Sequence, residues 1–265
     1  MVLTSGSQGG HFVTQAQLVP TTRAVPVAAR RGPVDVEVVI PAYNEARRLR
    51  GSVVATARYL ATRPWSSRIV VVDNGSADAT ARVARRADAA PVPVEVIGCA
   101  IAGKGAAVRR GMMTSAARYV GFVDADLATP IEALGEALAA LEAGATAVIG
   151  SRYAGGAAIR RKQPVARRLG GAAFRALAKR MVPGVADTQC GFKFFERTAV
   201  QRALATCAVT GFAFDVELLR GVQSQGGTVV ELPITWTDDA RSTLRPLRDG
   251  LPAFRAALTL LGAKA

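Results

Sequence analysis

Tyr119-Val120-Gly121-Phe122-Val123-Asp124-Ala125-Asp126-Leu127-Ala128-Thr129-Pro130-Ile131-Glu132 decides the fold, because the stretch changes character twice. Tyr119 to Val123 is a short apolar run and reads as a strand buried on both faces. Asp124 to Ala128 reads as the loop at its carboxyl end. Thr129-Pro130-Ile131-Glu132 reads as a helix start: threonine at the cap, proline at the first helical position, and Glu132 placed to complete a capping box. Leu134, Leu138 and Leu141 then line one helical face.

The same strand, loop and helix recur upstream. Val36, Val38 and Ile40 alternate with Asp35 and Glu37, and Pro41-Ala42-Tyr43-Asn44-Glu45 ends that run before a helix to about Leu60. Ile69 to Val72 forms a second strand that ends at Asp73, with Asp78 placed to cap the next helix. Val94 to Ile97, the turn Gly103-Lys104-Gly105 and a helix to about Arg118 make a third unit, and Ala145 to Gly150 supplies a further strand. Such alternation predicts an α/β fold with a mostly parallel central sheet flanked by helices. Ligands in these folds bind beyond the carboxyl ends of the strands. Tyr43, Glu45, Asp73, Asn74, Lys104, Asp124, Asp126 and Arg152 all fall there.

With 265 residues, half of them apolar, the chain suits one domain. Residues 1–33 read as a disordered polar tail, 34–250 as the folded domain and 251–265 as a C-terminal amphipathic helix. Leu251, Phe254, Leu258 and Leu261 share a face of that helix, a pattern that core packing explains equally well. Lys and Arg number 34 against 20 acidic residues, and the net charge of +14 favours a polyanionic partner: nucleic acid, an anionic membrane or a phosphorylated substrate. Cys99, Cys190 and Cys207 are odd in number and lack metal-ligand spacing, which argues against disulfides and structural zinc and for a reducing cytoplasm. No stretch is long and apolar enough to span a membrane, and the N-terminus lacks the order of a signal peptide, so a chain that neither spans a membrane nor is secreted is expected. The only histidine, His11, lies in the tail, which argues against histidine-dependent catalysis.

Two carboxylates two residues apart at a strand end, Asp124 and Asp126, can aim at one ligand. They suit Mg²⁺ or Mn²⁺ completed by diphosphate oxygens and water, or else they serve the following helix start. Asp73-Asn74-Gly75-Ser76-Ala77-Asp78 offers acceptors to a base or ribose, and a structural turn would need the same residues. Lys104 between two glycines can approach a phosphate, although the Walker sequence is absent. No GxGxxG follows the first strand, which argues against a Rossmann dehydrogenase.

The ordered segments VVIPAYNE, VVDNGSADAT, GKGAAVRRG, GFVDADLATP and IGSRY, from Val38 to Tyr153, resemble the family 2 glycosyltransferases, inverting enzymes of GT-A fold. The resemblance implies a Rossmann-like nucleotide-binding half and an acceptor-binding half. It implies that Pro41, Tyr43, Glu45, Asp73 and Lys104 contact a nucleotide-sugar donor, that Asp124-Ala125-Asp126 is the DxD motif holding Mg²⁺ or Mn²⁺, and that Arg152 faces the donor or acceptor phosphates. Mannose synthases of this type often carry Gln two residues after DxD, where this chain has Ala128. DTQCGFK from Asp187 and GFAFDVEL from Gly211 look like the corresponding segments of dolichyl-phosphate glucosyltransferases, which favours UDP-glucose as donor and a polyprenyl phosphate as acceptor.

Between Arg152 and Asp187 lie Arg160, Arg161, Lys162, Arg167, Arg168, Arg175, Lys179 and Arg180 without an acidic residue. Leu169, Ala173, Leu177 and Met181 recur among them at helical spacing, the pattern of a helix in a membrane interface, although a solvated basic face has the same charge. On the first reading the protein lies at the inner face of a membrane, with Arg152, Arg160, Arg167 and Arg168 drawing the acceptor phosphate. A phosphate nucleophile is largely ionised at neutral pH and needs positioning more than a base. Asp215 and then Asp187 are the candidate catalytic residues near the acceptor; either equally suits a helix start or an arginine partner. A nucleic-acid-binding protein would explain the charge but not the ordered acidic loops, so no nucleic acid is expected.

Overall fold

The computed structural model describes residues 33–159, 165–236 and 246–262. The expected tail up to residue 32 and the candidate Arg160 lie outside the described residues. The elements in chain order are β1 (Val36–Ala42), α1 (Leu49–Ala61), β2 (Ser67–Asp73), α2 (Thr80–Arg85), β3 (Val94–Gly98), α3 (Lys104–Met113) and β4 (Tyr119–Val123). A 3-10 turn (Ile131–Ala133) leads into α4 (Leu134–Glu142), followed by β5 (Ala147–Ser151), β6 (Ala158–Ile159), α5 (Val165–Met181) and β7 (Phe192–Glu196). The chain continues through α6 (Arg197–Thr206), α7 (Phe214–Ser224), β8 (Val229–Pro233), β9 (Thr235–Trp236) and α8 (Pro246–Gly262).

Seven strands form one sheet in the order β3-β2-β1-β4-β7-β5-β8, and β6 pairs with β9 in a small second sheet. Only β7 runs antiparallel, against both β4 and β5; the remaining pairs are parallel. The mostly parallel sheet expected from the alternating units is therefore present. Its layers follow from the two-residue period of the strands. Val36, Val38 and Ile40 face α1, α2 and α4, whereas Val39, Val70 and Val72 face α3 and α5 to α8. Alternation of Val36 with Glu37 suggests one wet face, yet Glu37 is fully buried because β1 is central and covered on both sides. The Arg68 guanidinium of the neighbouring strand lies 3.7 Å from its carboxylate.

Three local expectations are corrected. Thr129 does not cap a helix: it is buried with its hydroxyl 3.5 Å from Cys190 Sγ, and the 3-10 turn begins after Pro130 with no side-chain cap. The capping box is absent, and α4 starts only at Leu134. Helix α3 stops at Met113 rather than Arg118, because Gln201 of α6 donates to the carbonyls of Met112 and Ser115 at 3.0 Å and takes over the end of the helix. In α5, Met181 is buried and Leu177 packs on the core, so half of the stripe assigned to a membrane faces protein. Phe174 of that helix meets Phe254 of α8 edge to face at 5.4 Å, which makes the C-terminal helix part of the core layer.

Candidate active site

The loops that follow β1, β2 and β3 are laced together by short polar side chains. The Asn44 N–H donates to Ser76 Oγ at 3.0 Å, and its side-chain oxygen accepts from the Ala77 N–H at 2.9 Å. Glu45 and Ala46 donate their N–H groups to Thr80 Oγ1 (2.8 Å) and Asp78 Oδ2 (3.2 Å). Asn74 donates to the carbonyls of Cys99 and Ile101 and accepts from the Gly103 N–H at 2.8 Å. Asp73 accepts from the Ser76 N–H at 3.2 Å, and Asp78 accepts from the Thr80 N–H at 2.9 Å at the start of α2. Pro41 pairs in register with Val72 and Ala42 with Asp73, so Pro41 and exposed Tyr43 lie at the same carboxyl end of the sheet as Asp73. Gly103 has φ +123, and a Cβ there would lie 2.2 Å from the Thr210 carbonyl oxygen, so only glycine can deliver Lys104 to the first turn of α3.

Lys104 Nζ sits 2.8 Å from Asp124 Oδ1 at the end of β4. Burial works against both charges, but each outweighs it for the other, holding the Asp124 carboxyl below its usual range and the ammonium above its own. Asp126 is pushed up, first by burial and then by the charge of Asp124. Arg48 lies 3.9 Å from Asp126 and also grips Glu45. The loop between the acids is fixed by Ser52, whose hydroxyl donates to the Ala125 carbonyl at 2.6 Å. Leu127 takes φ +47, held by its N–H to the Asp124 carbonyl (3.0 Å), while the Ala128 N–H donates to Asp126 Oδ1 (3.1 Å). A left-handed leucine is a strained conformation of about 1 kcal/mol or more, kept here by the surrounding bonds. Two like-charged carboxylates at one strand end suit a divalent cation. No group of three His, Cys, Asp or Glu converges among the described residues, so such an ion would draw its other ligands from diphosphate oxygens and water, the set Mg²⁺ and Mn²⁺ accept.

Beyond β5, the buried Asp187 carboxylate grips Arg152 from the side, at 2.7 Å to Nε and 2.8 Å to Nη2. Arg152 lies near enough to Asp124 to help keep it ionised. Asp215, in the first turn of α7, is buried and paired with Lys193 at 2.7 Å. Asp187 therefore has the arginine partner the sequence had left open, whereas Asp215 stands at a helix start and pairs with a lysine. Arg167 and Arg168 lie on α5. The sequence reading gave no role to Lys193, Glu231 or Trp236. Lys193 stands in Phe192-Lys193-Phe194-Phe195, and a cation inside an apolar strand is the signal that marks it. Glu231 receives the N–H groups of Ala186 and Asp187, and the Trp236 ring lies 5.4 Å from the Arg152 guanidinium.

Residues 37–204 match the family model Glycosyl transferase family 2. The chain is 32% identical over 219 residues to the dolichyl-phosphate beta-glucosyltransferase ALG5C of Trichomonas vaginalis, covering 78% of this chain and 65% of that one. It is 32% identical over 232 residues to the human dolichyl-phosphate beta-glucosyltransferase, covering 79% and 69% respectively. It thus spans about two thirds of the length of the curated relatives it matches. The fold resembles the glucosyl-3-phosphoglycerate synthase of Mycobacterium tuberculosis, solved with UDP, at TM-score 0.65 and 18% identity, covering 88% of this chain and 82% of that one. The same synthase has been solved with Mn²⁺, UDP-glucose and phosphoglyceric acid. That likeness shows the GT-A arrangement implied by the motifs.

Proposed function

The chain belongs to glycosyl transferase family 2 and is a glycosyltransferase, and from that premise we propose that it moves glucose from UDP-glucose to a polyprenyl phosphate with inversion. The observation that carries the reading is the convergence of Lys104, Asp124 and Asp126 at the carboxyl ends of parallel strands, together with the names of the curated relatives.

In this reading Tyr43, Glu45 and Asp73 border the nucleotide, and Lys104 neutralises a donor phosphate. Asp124 and Asp126 hold Mg²⁺ or Mn²⁺, which when bound stabilises the charge of the departing diphosphate. An acceptor phosphate oxygen bonds to the anomeric carbon as the bond from that carbon to the UDP oxygen breaks. The acceptor is already ionised near neutral pH, so no side chain need take a proton. The engagement of Asp187 by Arg152 and of Asp215 by Lys193 accords with a mechanism without a carboxylate base. Arg152 receives the acceptor phosphate.

No helix among the described residues is long and apolar enough to cross a membrane. Access to a lipid acceptor then requires a surface that docks. Leu258 and Leu261 of α8 are exposed at 57% and 41%, and Lys179, Arg180 and Arg255 are exposed on α5 and α8. Because α5 packs on α8 through Phe174 and Phe254, we read these exposed residues as a basic, partly apolar surface suited to anionic lipid. Replacing Leu258 and Leu261 with Ser is expected to weaken co-sedimentation with phosphatidylglycerol vesicles on the order of a hundredfold, from about 1.5 kcal/mol per buried leucine.

The direct test is transfer of labelled sugar from UDP-glucose, and separately GDP-mannose, into organic-extractable polyprenyl phosphate, with Mn²⁺ or with chelator. Metal-dependent lipid label from UDP-glucose is expected. Label from GDP-mannose alone would overturn the donor, and label confined to water-soluble phosphates would overturn the acceptor.

A further inference from the structure

Arg152 is held by Asp187, and Asp187 is in turn held by a residue from the edge of the sheet. Glu231 lies on β8 directly opposite Ile149 of β5, the strand that runs into Ser151 and Arg152. Its carboxylate reaches the irregular segment before β7 and accepts two consecutive N–H groups, from Ala186 at 2.8 Å and Asp187 at 2.9 Å. One carboxylate thereby fixes the backbone that carries Asp187.

The Asp187 side chain is fully buried, and both of its oxygens are used. Oδ2 accepts from the Arg152 N–H at 3.0 Å and from Nε at 2.7 Å, while Oδ1 accepts from Nη2 at 2.8 Å. That contact fixes the guanidinium plane side-on, and the rings of Trp236 and Tyr153, 5.4 and 5.7 Å from it, flank the group. A guanidinium has five donors in a rigid fork. With Nε and one Nη2 hydrogen on Asp187, the edge formed by Nη1 and the second Nη2 hydrogen keeps two parallel donors, and Nη1 has no partner among the described residues. Such an edge matches two oxygens of a phosphate.

We infer that Glu231 is a positioning residue for the acceptor phosphate: by clamping the Ala186 and Asp187 amides it sets Asp187, which turns the free edge of Arg152 toward the oxyanion. This rests on the acceptor reading above. Glu231 touches neither substrate. Its effect should therefore pass wholly through Arg152 and leave donor binding alone.

The experiment measures KM for a short-chain isoprenyl phosphate and for UDP-glucose, UDP affinity by calorimetry, and Tm, in wild type, Glu231→Gln, Arg152→Lys and the double variant. Gln at 231 keeps the shape of the side chain but offers one acceptor oxygen where two N–H groups need one each. The expected result is an acceptor KM raised roughly tenfold by loss of one charge-assisted bond. UDP affinity and donor KM stay at their wild-type values, and the double variant is no worse than Arg152→Lys alone. An unchanged acceptor KM in Glu231→Gln would overturn the inference. So would additive losses in the double variant, or a fall in UDP affinity and Tm matching the rise in acceptor KM, since a merely structural residue would behave that way. If wild type glucosylates no isoprenyl phosphate, the acceptor reading fails and takes this inference with it, an outcome distinct from active wild type with an insensitive variant.

Discussion

Lys104 Nζ, from the first turn of α3, and Asp124 Oδ1, just beyond β4, form an ion pair of 2.8 Å. The lysine occupies the very carboxylate that the DxD reading assigns to a divalent cation. A cation arriving alone must displace it, whereas a nucleotide diphosphate offers the ammonium another anion. Mn²⁺ and UDP are therefore expected to bind synergistically, each raising the affinity of the other by at least roughly tenfold, a coupling within the usual range. Lys104→Met should bind Mn²⁺ alone more tightly than wild type while losing ten- to a hundredfold or so in UDP affinity, the worth of a charge-assisted bond. Mn²⁺ titration by electron paramagnetic resonance, with and without UDP, decides it; equal Mn²⁺ affinity in all four states would refute the idea.

Lys193 and Asp215 carry opposite charges in the interior at 2.7 Å, with the Lys193 ammonium also donating to the Cys190 carbonyl. Removing one partner strands the other. Asp215→Ala is expected to destabilise the fold by about 3–5 kcal/mol, while an apolar pair, Lys193→Met with Asp215→Leu, should come close to wild type. Urea titration of the two variants is the measurement. A single variant as stable as wild type would show that the pair does not stabilise the fold.

A Cβ on Gly191 would lie 1.9 Å from Asp124 Oδ2. It would also lie 2.2 Å from Cγ, so the whole carboxyl group must swing away and release Lys104, and Gly191→Ala should cost about 1–3 kcal/mol of stability without preventing folding. Transfer, however, should fall on the order of a hundredfold, because the carboxylate leaves its place. Comparing Tm with transfer rate separates the two effects. Normal rates in this variant would mean that the position of Asp124 is immaterial.

Glu196 caps α6, accepting from the N–H groups of Thr198 (2.8 Å) and Ala199 (2.6 Å). Partial burial opposes its charge, but these donors outweigh burial and hold the carboxyl below the usual glutamate range. A depressed folded pKa contributes stability that is complete above the unfolded value, about 4.3, and is lost as pH falls through the folded value. Glu196→Ala should thus cost about 1 kcal/mol near neutral pH. The gap from wild type should narrow as pH falls below the unfolded value and close once the folded carboxyl is protonated. Chemical denaturation near neutral pH and in acid tests the sign, which a gap that widens in acid would reverse.

The sequence by itself determined the α/β class, the strand ends that carry Asp73, Lys104, Asp124 and Arg152, and the order of the loops around the cleft. Those features rest on short-range physics: a two-residue period, apolar runs ending in acids, and glycines where the chain turns sharply. The tertiary structure decided what each charge meets. Thr129 has every local mark of a helix cap, yet burial of Cys190 beside it draws its hydroxyl elsewhere. Insertion of β7 antiparallel between β4 and β5 carries Lys193 to Asp215 and Gly191 to Asp124. Addition of β8 beyond β5 brings Glu231 to the Asp187 amide. Strand order depends on how whole layers pack, and no pattern within a few residues encodes it, so these partners came into view only with the assembled sheet.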